Sequence, residues 1–330
     1  MDVLSDVLRA VKLEGAIYYN GEFSAPWGFI SPSSDRIGPF IGKTDKHIVT
    51  YHLILEGAAE AYVGDGPRVP LSGGDIVVLP HGDEHRIKNG SPPKLVDNGP
   101  LMKEILASPD VNLMRAGGGG SLTRVVCGYM AFDKDLSRMF LCGLPPIFKV
   151  HIRNDVAGQW LENSIRFSAN GTGQLPGGPV VLAKLSEALF VETLRRYMTN
   201  LPPEQSGWLA GARDAEVGAA LGLIHREPAR PWTIASLAHE VGVSRSVLAE
   251  RFRKYLGEPP MSYLGRWRLH LGAQMLQNSS HSVAQIASEV GYESEAAFNR
   301  AFKREFEHPP ARFRVVSKGR QQGAVAARAS

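Results

Sequence analysis

The stretches Thr233-Ile-Ala-Ser-Leu-Ala-His-Glu-Val-Gly-Val-Ser-Arg-Ser-Val-Leu-Ala-Glu-Arg-Phe-Arg-Lys-Tyr-Leu-Gly-Glu-Pro-Pro260 and Ser282-Val-Ala-Gln-Ile-Ala-Ser-Glu-Val-Gly-Tyr-Glu-Ser-Glu-Ala-Ala-Phe-Asn-Arg-Ala-Phe-Lys-Arg-Glu-Phe-Glu-His-Pro-Pro310 decide how this sequence is read. The second repeats the first at an offset of about fifty residues. Ala238 aligns with Ala287, Gly242 with Gly291, Phe252 with Phe302, and Pro259-Pro260 with Pro309-Pro310. The leading Thr233 or Ser282 offers a hydroxyl to an unpaired N–H of a first helix. Ala238 and Ala287 are small enough for a second helix to cross closely. Gly242 and Gly291 supply a sharp turn, since glycine takes positive φ without a Cβ clash. Ser244 and Ser294 start the next helix, which Leu248 with Phe252, or Phe298 with Phe302, anchors to the first. The proline pair is expected to stop each unit.

Each copy therefore predicts a helix-turn-helix, a unit whose second helix enters the DNA major groove with its N-terminal residues at base edges. For one copy alone, a helical hairpin used only for packing would compete. Two copies with matching caps, turns and proline pairs favour the DNA reader. From Trp208 onward the chain has 17 Lys and Arg against 11 Asp and Glu, which leaves 20 against 22 for the rest. The net charge of +4 is thus concentrated at the C-terminal end. Such segregation suits a polyanion, because each cation that neutralises a phosphate releases counterions. On charge alone a solvated basic face is the preferred reading, so the motif carries the argument.

At 330 residues two domains are expected. The first part is punctuated by Gly and Pro and carries short alternating runs, Ile48-Val-Thr-Tyr-His-Leu-Ile-Leu55 and Asp75-Ile-Val-Val-Leu79, the pattern of an antiparallel sandwich or barrel. A Gly-rich turn at Gly117 to Gly120 precedes a further strand from Leu122 to Phe132. Between Val180 and Thr199, Leu182, Leu185, Leu189, Val191 and Leu194 fall at helical spacing. The expected fold is an all-β barrel domain with following helices over 1–200 and an all-α domain over 213–318. A linker over 201–212, marked by Pro202, Pro203 and Gly207, joins them, and a disordered tail occupies 319–330. Two cysteines, Cys127 and Cys142, make no disulfide framework and suit a reducing compartment. Their apolar neighbours raise a thiol's pKa, so they read as structural rather than as redox switches. The acidic N-terminus has no signal-peptide pattern, and no apolar run is long enough to span a bilayer. A soluble cytoplasmic protein with no membrane partner is expected.

The segment from Gly74 to Asn89 runs glycine, five residues, Pro80, one, Gly82, two, His85, three, Asn89. That spacing resembles the second cupin signature. The run from His47 to Gly57 ends in a Leu-Glu-Gly similar to the close of the first signature, but it lacks that signature's His-x-His and acidic ligands, with Thr50 near the acidic position. By this likeness the strand face bearing Thr50 and His52 is the barrel interior, where His52 and His85 converge. Two imidazoles make a partial site for Zn²⁺ or another transition metal, whereas catalytic cupin metals have three or four protein ligands. A pair of core histidines bonded to backbone and polar neighbours is an equal alternative. His47 and His81 are candidates to complete a ligand set, although His81 in its Pro-His-Gly turn reads more simply as exposed. No cofactor is certain from these residues.

The tandem pattern resembles the DNA-binding region of the AraC/XylS regulators, in which a long helix joins the two units. Here that helix contains Ser262-Tyr-Leu-Gly-Arg-Trp-Arg-Leu-His-Leu-Gly-Ala-Gln-Met-Leu276. The whole layout resembles the cupin-containing subgroup of that family, whose barrel is the regulatory domain. The resemblance implies two recognition helices on one side of the DNA, roughly 34 Å apart. Carried over by position, the candidate base readers are Ser246, Ala249 and Glu250 in the first unit and Glu295, Ala296, Asn299 and Arg300 in the second, with Arg245, Arg253, Ser294 and Lys303 beside them. Arg bonds guanine bidentately and Asn does the same to adenine, so Arg300 is the leading single candidate. Ala249 offers only apolar contact, and Glu250 accepts from cytosine or repels phosphate. Arg251, Lys254 and Arg304 complete the basic set, and for any one of these cations surface solubility is as good a reading as phosphate contact.

The expected protein is a transcription regulator of double-stranded DNA, not an enzyme, whose barrel senses a small molecule or a metal. RNA polymerase and a second copy of the chain are further expected partners. One alternative is a cupin metalloenzyme of dioxygenase or isomerase type with an accessory DNA-binding domain, which needs a full ligand set. Another is a constitutive DNA binder whose barrel only dimerises.

Overall fold

The computed structural model describes all residues except 1–2, 12, 93, 108–111, 142, 170–175, 203 and 318–330. Cys142 and the 319–330 tail therefore lie outside the described residues. The chain divides into two compact units, Val11–Leu201 and Met1–Ala10 together with Pro202–Ser330.

Helix α1 (Val3–Val11) opens the chain. Val3, Leu4, Val7 and Leu8 recur at helical spacing and are buried. The described residues of this segment up to Ala10, expected with the barrel, group by contact with the C-terminal unit.

The barrel unit contains β1 (Glu14–Ser24), β2 (Trp27–Ser31), α2 (Ser34–Ile37), β3 (Lys46–Glu56), β4 (Ala58–Val63), β5 (Val69–Ser72), β6 (Asp75–Leu79), β7 (His85–Asn89), β8 (Val96–Asp97), α3 (Gly99–Ala107), β9 (Asn112–Gly117), β10 (Leu122–Asp133), α4 (Lys134–Leu141), β11 (Phe148–His151), α5 (Val156–Ala169) and α6 (Gly178–Thr199). One sheet has the order β11-β6-β3-β10-β1-β9 and the other β5-β4-β7-β2-β8. Alternation sends Ile48 and Ile54 of β3, with Val77, Cys127 and Tyr129, into the shared core. The intervening Val49, Tyr51 and Leu53 are buried as well. Helices account for this second buried face: the Tyr51 hydroxyl lies 2.6 Å from Ser186 Oγ on α6, and Phe132 of β10 packs edge-on against Phe140 of α4 and Phe190 of α6. A strand covered on both faces reads as a near-continuous apolar run, which is how Ile48 to Leu55 reads.

Helix α5 is tied to the sheet by charge. The buried Glu162 accepts from Arg153 at 2.6 and 2.7 Å and from Arg166 at 3.0 Å, and Arg166 also reaches Glu56 at 2.7 Å. Burial alone would raise the Glu162 carboxyl, but the two guanidiniums hold it below its ordinary range.

The second unit continues with α7 (Trp208–Arg213), α8 (Ala215–Arg226), α9 (Ile234–Glu240), α10 (Arg245–Leu256), α11 (Pro260–Asn278), α12 (Val283–Glu289) and α13 (Glu295–Phe306). Part of the expected 201–212 linker is thus helical. The reason is Trp208, which is buried and donates its indole N–H to the Tyr263 hydroxyl at 2.9 Å. No helix among the described residues is long and apolar enough to cross a membrane.

Candidate functional site

Both helix-turn-helix units begin with a closed capping box. Thr233 exchanges hydrogen bonds with Ser236, and Ser282 does so with Gln285. Gly242 and Gly291 turn the chain at φ 75 and 89°. Ser244 then accepts from the Val247 N–H and Ser294 from the Ala297 N–H, which fixes the first turns of α10 and α13. Leu248, Phe252, Phe298 and Phe302 are buried, as the repeat requires. The proline pairs act differently from the expectation. Gly257, in the left-handed conformation, ends α10, and Glu307 ends α13 at φ 62°, while Pro260 begins α11. Proline suits a first helical position because it lacks an N–H that would be unpaired there.

This scaffold presents a polar surface on both recognition helices. Arg245, Ser246, Glu250 and Arg253 are exposed on α10 and Ala249 is partly so. On the second unit Ser294, Glu295, Ala296, Arg300 and Lys303 are exposed and Asn299 is partly so. Ser294 uses its hydroxyl to cap, and the Asn299 amide makes a long 3.5 Å contact with Glu295 one turn back. Arg245, Arg253, Arg300 and Lys303 have no ion-pair partner among the described residues, so their charge is available to phosphate or base. Arg251 is different. It bonds Asp214 and Glu216, each at 2.7 Å, and ties α10 to the start of α8.

The barrel interior holds a polar chain. Pairing of β3 with β10 sets His52 opposite Cys127, and pairing of β2 with β7 sets Ser31 opposite His85. His52 Nδ1 lies 2.6 Å from Cys127 Sγ, His52 Nε2 lies 2.6 Å from His85 Nε2, and His85 Nδ1 lies 3.0 Å from the Asp83 carbonyl. That carbonyl can only accept, so one proton arrangement satisfies the chain. His85 donates from Nδ1 to Asp83, His52 donates from Nε2 to His85, and the Cys127 thiol donates to His52. Burial keeps every member neutral: it pushes the Cys127 thiol up, holds His52 well below its ordinary value and lowers His85 to about 4.

His52 and His85 converge, as the resemblance to the cupin signatures implies. His47 and His81 do not join them. His47 donates to the Pro80 carbonyl at 2.7 Å and His81 to the Leu144 carbonyl at 2.9 Å. His47 also stands an odd number of residues from His52, on the other face of β3. The chain as it stands does not fit a shared ion. Two nitrogens on one Zn²⁺ stand roughly 3.3 Å apart or more, and the second nitrogen of His52 is turned to Cys127. Cys127 as the partner of His52 has no local sequence signal, because β3 and β10 are far apart along the chain.

Comparison with known proteins adds the wider context. A cupin family profile matches residues 2–199, and a helix-turn-helix domain profile matches residues 237–315. The chain is 30% identical over 321 residues to the HTH-type transcriptional regulator AlkR of Acinetobacter baylyi, covering 96% of this chain and 100% of AlkR. It is 26% identical over 316 residues to the RCS-specific HTH-type transcriptional activator RclR of Escherichia coli, covering 95% and 97%. Among solved structures, a transcriptional regulator with an AraC-type DNA-binding domain from Chromobacterium violaceum is 31% identical over 30% of this chain and 89% of its own, with a TM-score of 0.30.

Proposed function

Because the chain belongs to the AraC-type helix-turn-helix regulators with an N-terminal cupin domain, we propose that it reads two adjacent DNA sites under the control of an effector held in its barrel. It is a DNA-binding transcription regulator and not an enzyme: relatives spanning nearly the whole chain carry regulator names. The observation that carries the finer reading is the pair of serine-capped recognition helices with lone cations, Arg245 and Arg253 on α10 and Arg300 and Lys303 on α13. Arg300 and Asn299 read base edges in the second unit, while Ser246, Ala249 and Glu250 offer weaker contacts in the first. Glu295 and Ala296 flank the second set.

The effector is a small molecule that exchanges hydrogen bonds with the Cys127–His52–His85 chain. A neutral chain favours a neutral ligand, since an unpaired buried charge is costly. Binding biases the DNA-competent state by its differential affinity for two states. Zinc or another transition metal is the second candidate effector, supported by the neutral imidazoles of His52 and His85, and it needs the two rings to part. RNA polymerase and a second copy of the chain are the protein partners.

DNA selection from a random pool with the full-length chain tests the reading, repeated after chelation and again with added Zn²⁺. Two motifs about one helical turn apart are expected. An absence of any enriched motif in all three conditions overturns it, and a site preference that follows the metal replaces the small molecule by the ion.

A further inference from the structure

Asn98, between β8 and α3, is 1% exposed, and neither its amide nitrogen nor its amide oxygen has a hydrogen-bond partner among the described residues. A buried amide left unpaired destabilises the fold that holds it. Local duties do not account for this side chain. The Asn98 backbone N–H continues the β2–β8 ladder by donating to the Ile30 carbonyl at 3.0 Å, and the Asn98 carbonyl accepts from the Met102 N–H in the first turn of α3 at 2.8 Å. The Gly99 N–H at the start of that helix donates to Asp97 at 2.8 Å, so capping falls to Asp97 and leaves the Asn98 amide unused.

Register places this amide beside the histidine chain. Ile30 pairs with Asp97, so Asn98 stands abreast of Ser31, and Ser31 pairs with His85 on its other side. Alternation turns Ile30 and the exposed Asp97 outward and turns Ser31 and Asn98 inward, on the face that carries Phe29 of the core. Neighbouring strands stand roughly 4.8 Å apart, so Asn98, Ser31 and His85 form a polar row across β8, β2 and β7. The row leads to His52, whose Nε2 lies 2.6 Å from His85 Nε2, and Thr50 is buried on the same face of β3 as His52. Ile48, two places before Thr50, and Met102, one turn after Asn98, bring apolar side chains into the same core.

The side chain of Asn98 presents a donor and an acceptor side by side, so a partner that meets both at once must present an acceptor and a donor on one edge. A primary amide or a lactam does so. An open-chain secondary amide does not, because its trans geometry puts N–H and C=O on opposite sides. A carboxylate offers no donor and brings a charge into a row of neutral groups, while the nearby Arg36 is held on the outer face by Asp97 and Glu84. We propose that the effector carries a primary amide or lactam head that pairs with the Asn98 side chain inside the barrel, with an apolar body against Ile48 and Met102. This deepens the reading of the barrel as an effector site and rests on it.

Thermal melting of the full-length chain with ε-caprolactam, N-methylcaprolactam and cyclohexane-1,2-diol tests the proposal. Caprolactam at about 50 mM, roughly ten times the Kd of a well-bound fragment of this size, is expected to raise Tm by about 3 °C. The N-methyl probe has lost the donor and the diol has no amide edge, so both are expected to leave Tm in place. Asn98→Leu is expected to abolish the caprolactam shift and to leave the ligand-free Tm unchanged or higher, because it removes an unpartnered buried amide. Equal shifts from caprolactam and its N-methyl form, or no shift from caprolactam, overturn the amide head without need of any variant. A lowered ligand-free Tm in Asn98→Leu also overturns it, by showing that the amide is already bonded, to a buried water for example. A diol that shifts wild type and Asn98→Leu equally supports an effector of another class and overturns this head. Fluorescence anisotropy on the selected duplex separates the two readings. Caprolactam that binds through Asn98 is expected to change DNA affinity, and if the affinity stays unchanged the head group stands while the effector role falls.

Discussion

At the first position of the recognition helix the two helix-turn-helix units carry Arg245 and Glu295, and at the sixth they carry Glu250 and Arg300. The charges are exchanged, while the buried Phe252 and Phe302 and the capping Ser244 and Ser294 are kept. Folding therefore demands one set of positions and leaves the other free. Glu295 suits the positive end of its helix, whereas Arg245 opposes that end by about 0.3–1 kcal/mol. An arginine held against the local helix preference fits a residue kept for an anion outside the fold. The two units also differ in support, since Arg251 ties the first to α8 and its counterpart Ala301 cannot form such a tie.

Acid is expected to act on both units together and to have the largest effect. His225 packs against Tyr263 and Trp267 beside the first unit, His270 packs against Phe306 beside the second, and burial lowers each to about 3. The unfolded chain titrates near 6.5 and so binds more protons in between. Stability is then complete above pH 6.5 and is lost as pH falls towards 3, on the order of 5 kcal/mol per histidine at the limit. Urea melts at pH 7 and pH 4.5 followed by tryptophan fluorescence check this, and unchanged midpoints would contradict it.

The turn glycines look alike in sequence and are expected to separate on substitution. A Cβ at Gly242 meets nothing within 4 Å, whereas at Gly291 it comes 2.7 Å from the Ala229 Cα. Gly242→Ala should cost about 1–2 kcal/mol for a left-handed backbone, and Gly291→Ala roughly 3 kcal/mol or more once the overlap is added. Equal losses in denaturant melts would erase the distinction.

On DNA, Arg300→Ala is expected to weaken binding to the selected site by about 1–3 kcal/mol, and Glu250→Ala to leave it unchanged or tighter. Fluorescence anisotropy on selected and random duplexes separates the roles. Equal losses on both would make Arg300 a phosphate contact. The smallest effect is a gain. Glu307→Gly gives the second unit the residue that Gly257 gives the first, and should stabilise the protein by about 1 kcal/mol, read as a raised Tm.

The helix-turn-helix units were legible because their signals are local: a cap, a turn glycine and a phenylalanine act within a few residues of themselves. The convergence of His52 and His85 was legible only through the resemblance to the cupin signatures, which makes the alternating face that bears His52 the barrel interior. The third member of their chain, Cys127, was not, since only long-range pairing of β3 with β10 brings it to His52. The prolines at 259–260 and 309–310 were misread because proline both refuses to continue a helix and starts one well. The helix at Trp208 lay hidden behind Pro202 and Gly207, residues that mark a boundary without saying how soon it ends.

The order of the large sheet bears on how the chain is made. Among the described residues strand β1 pairs with β9 and β10, and Glu14 pairs with Ala131, more than a hundred residues downstream. Until that length has left the ribosome both edges of β1 stand open, whereas the second helix-turn-helix closes against α11, the helix that directly precedes it, through Leu269, Ala273 and Leu276. Refolding should accordingly show a fast helical phase followed by a slower barrel phase, with the open strand as the point at which aggregation begins.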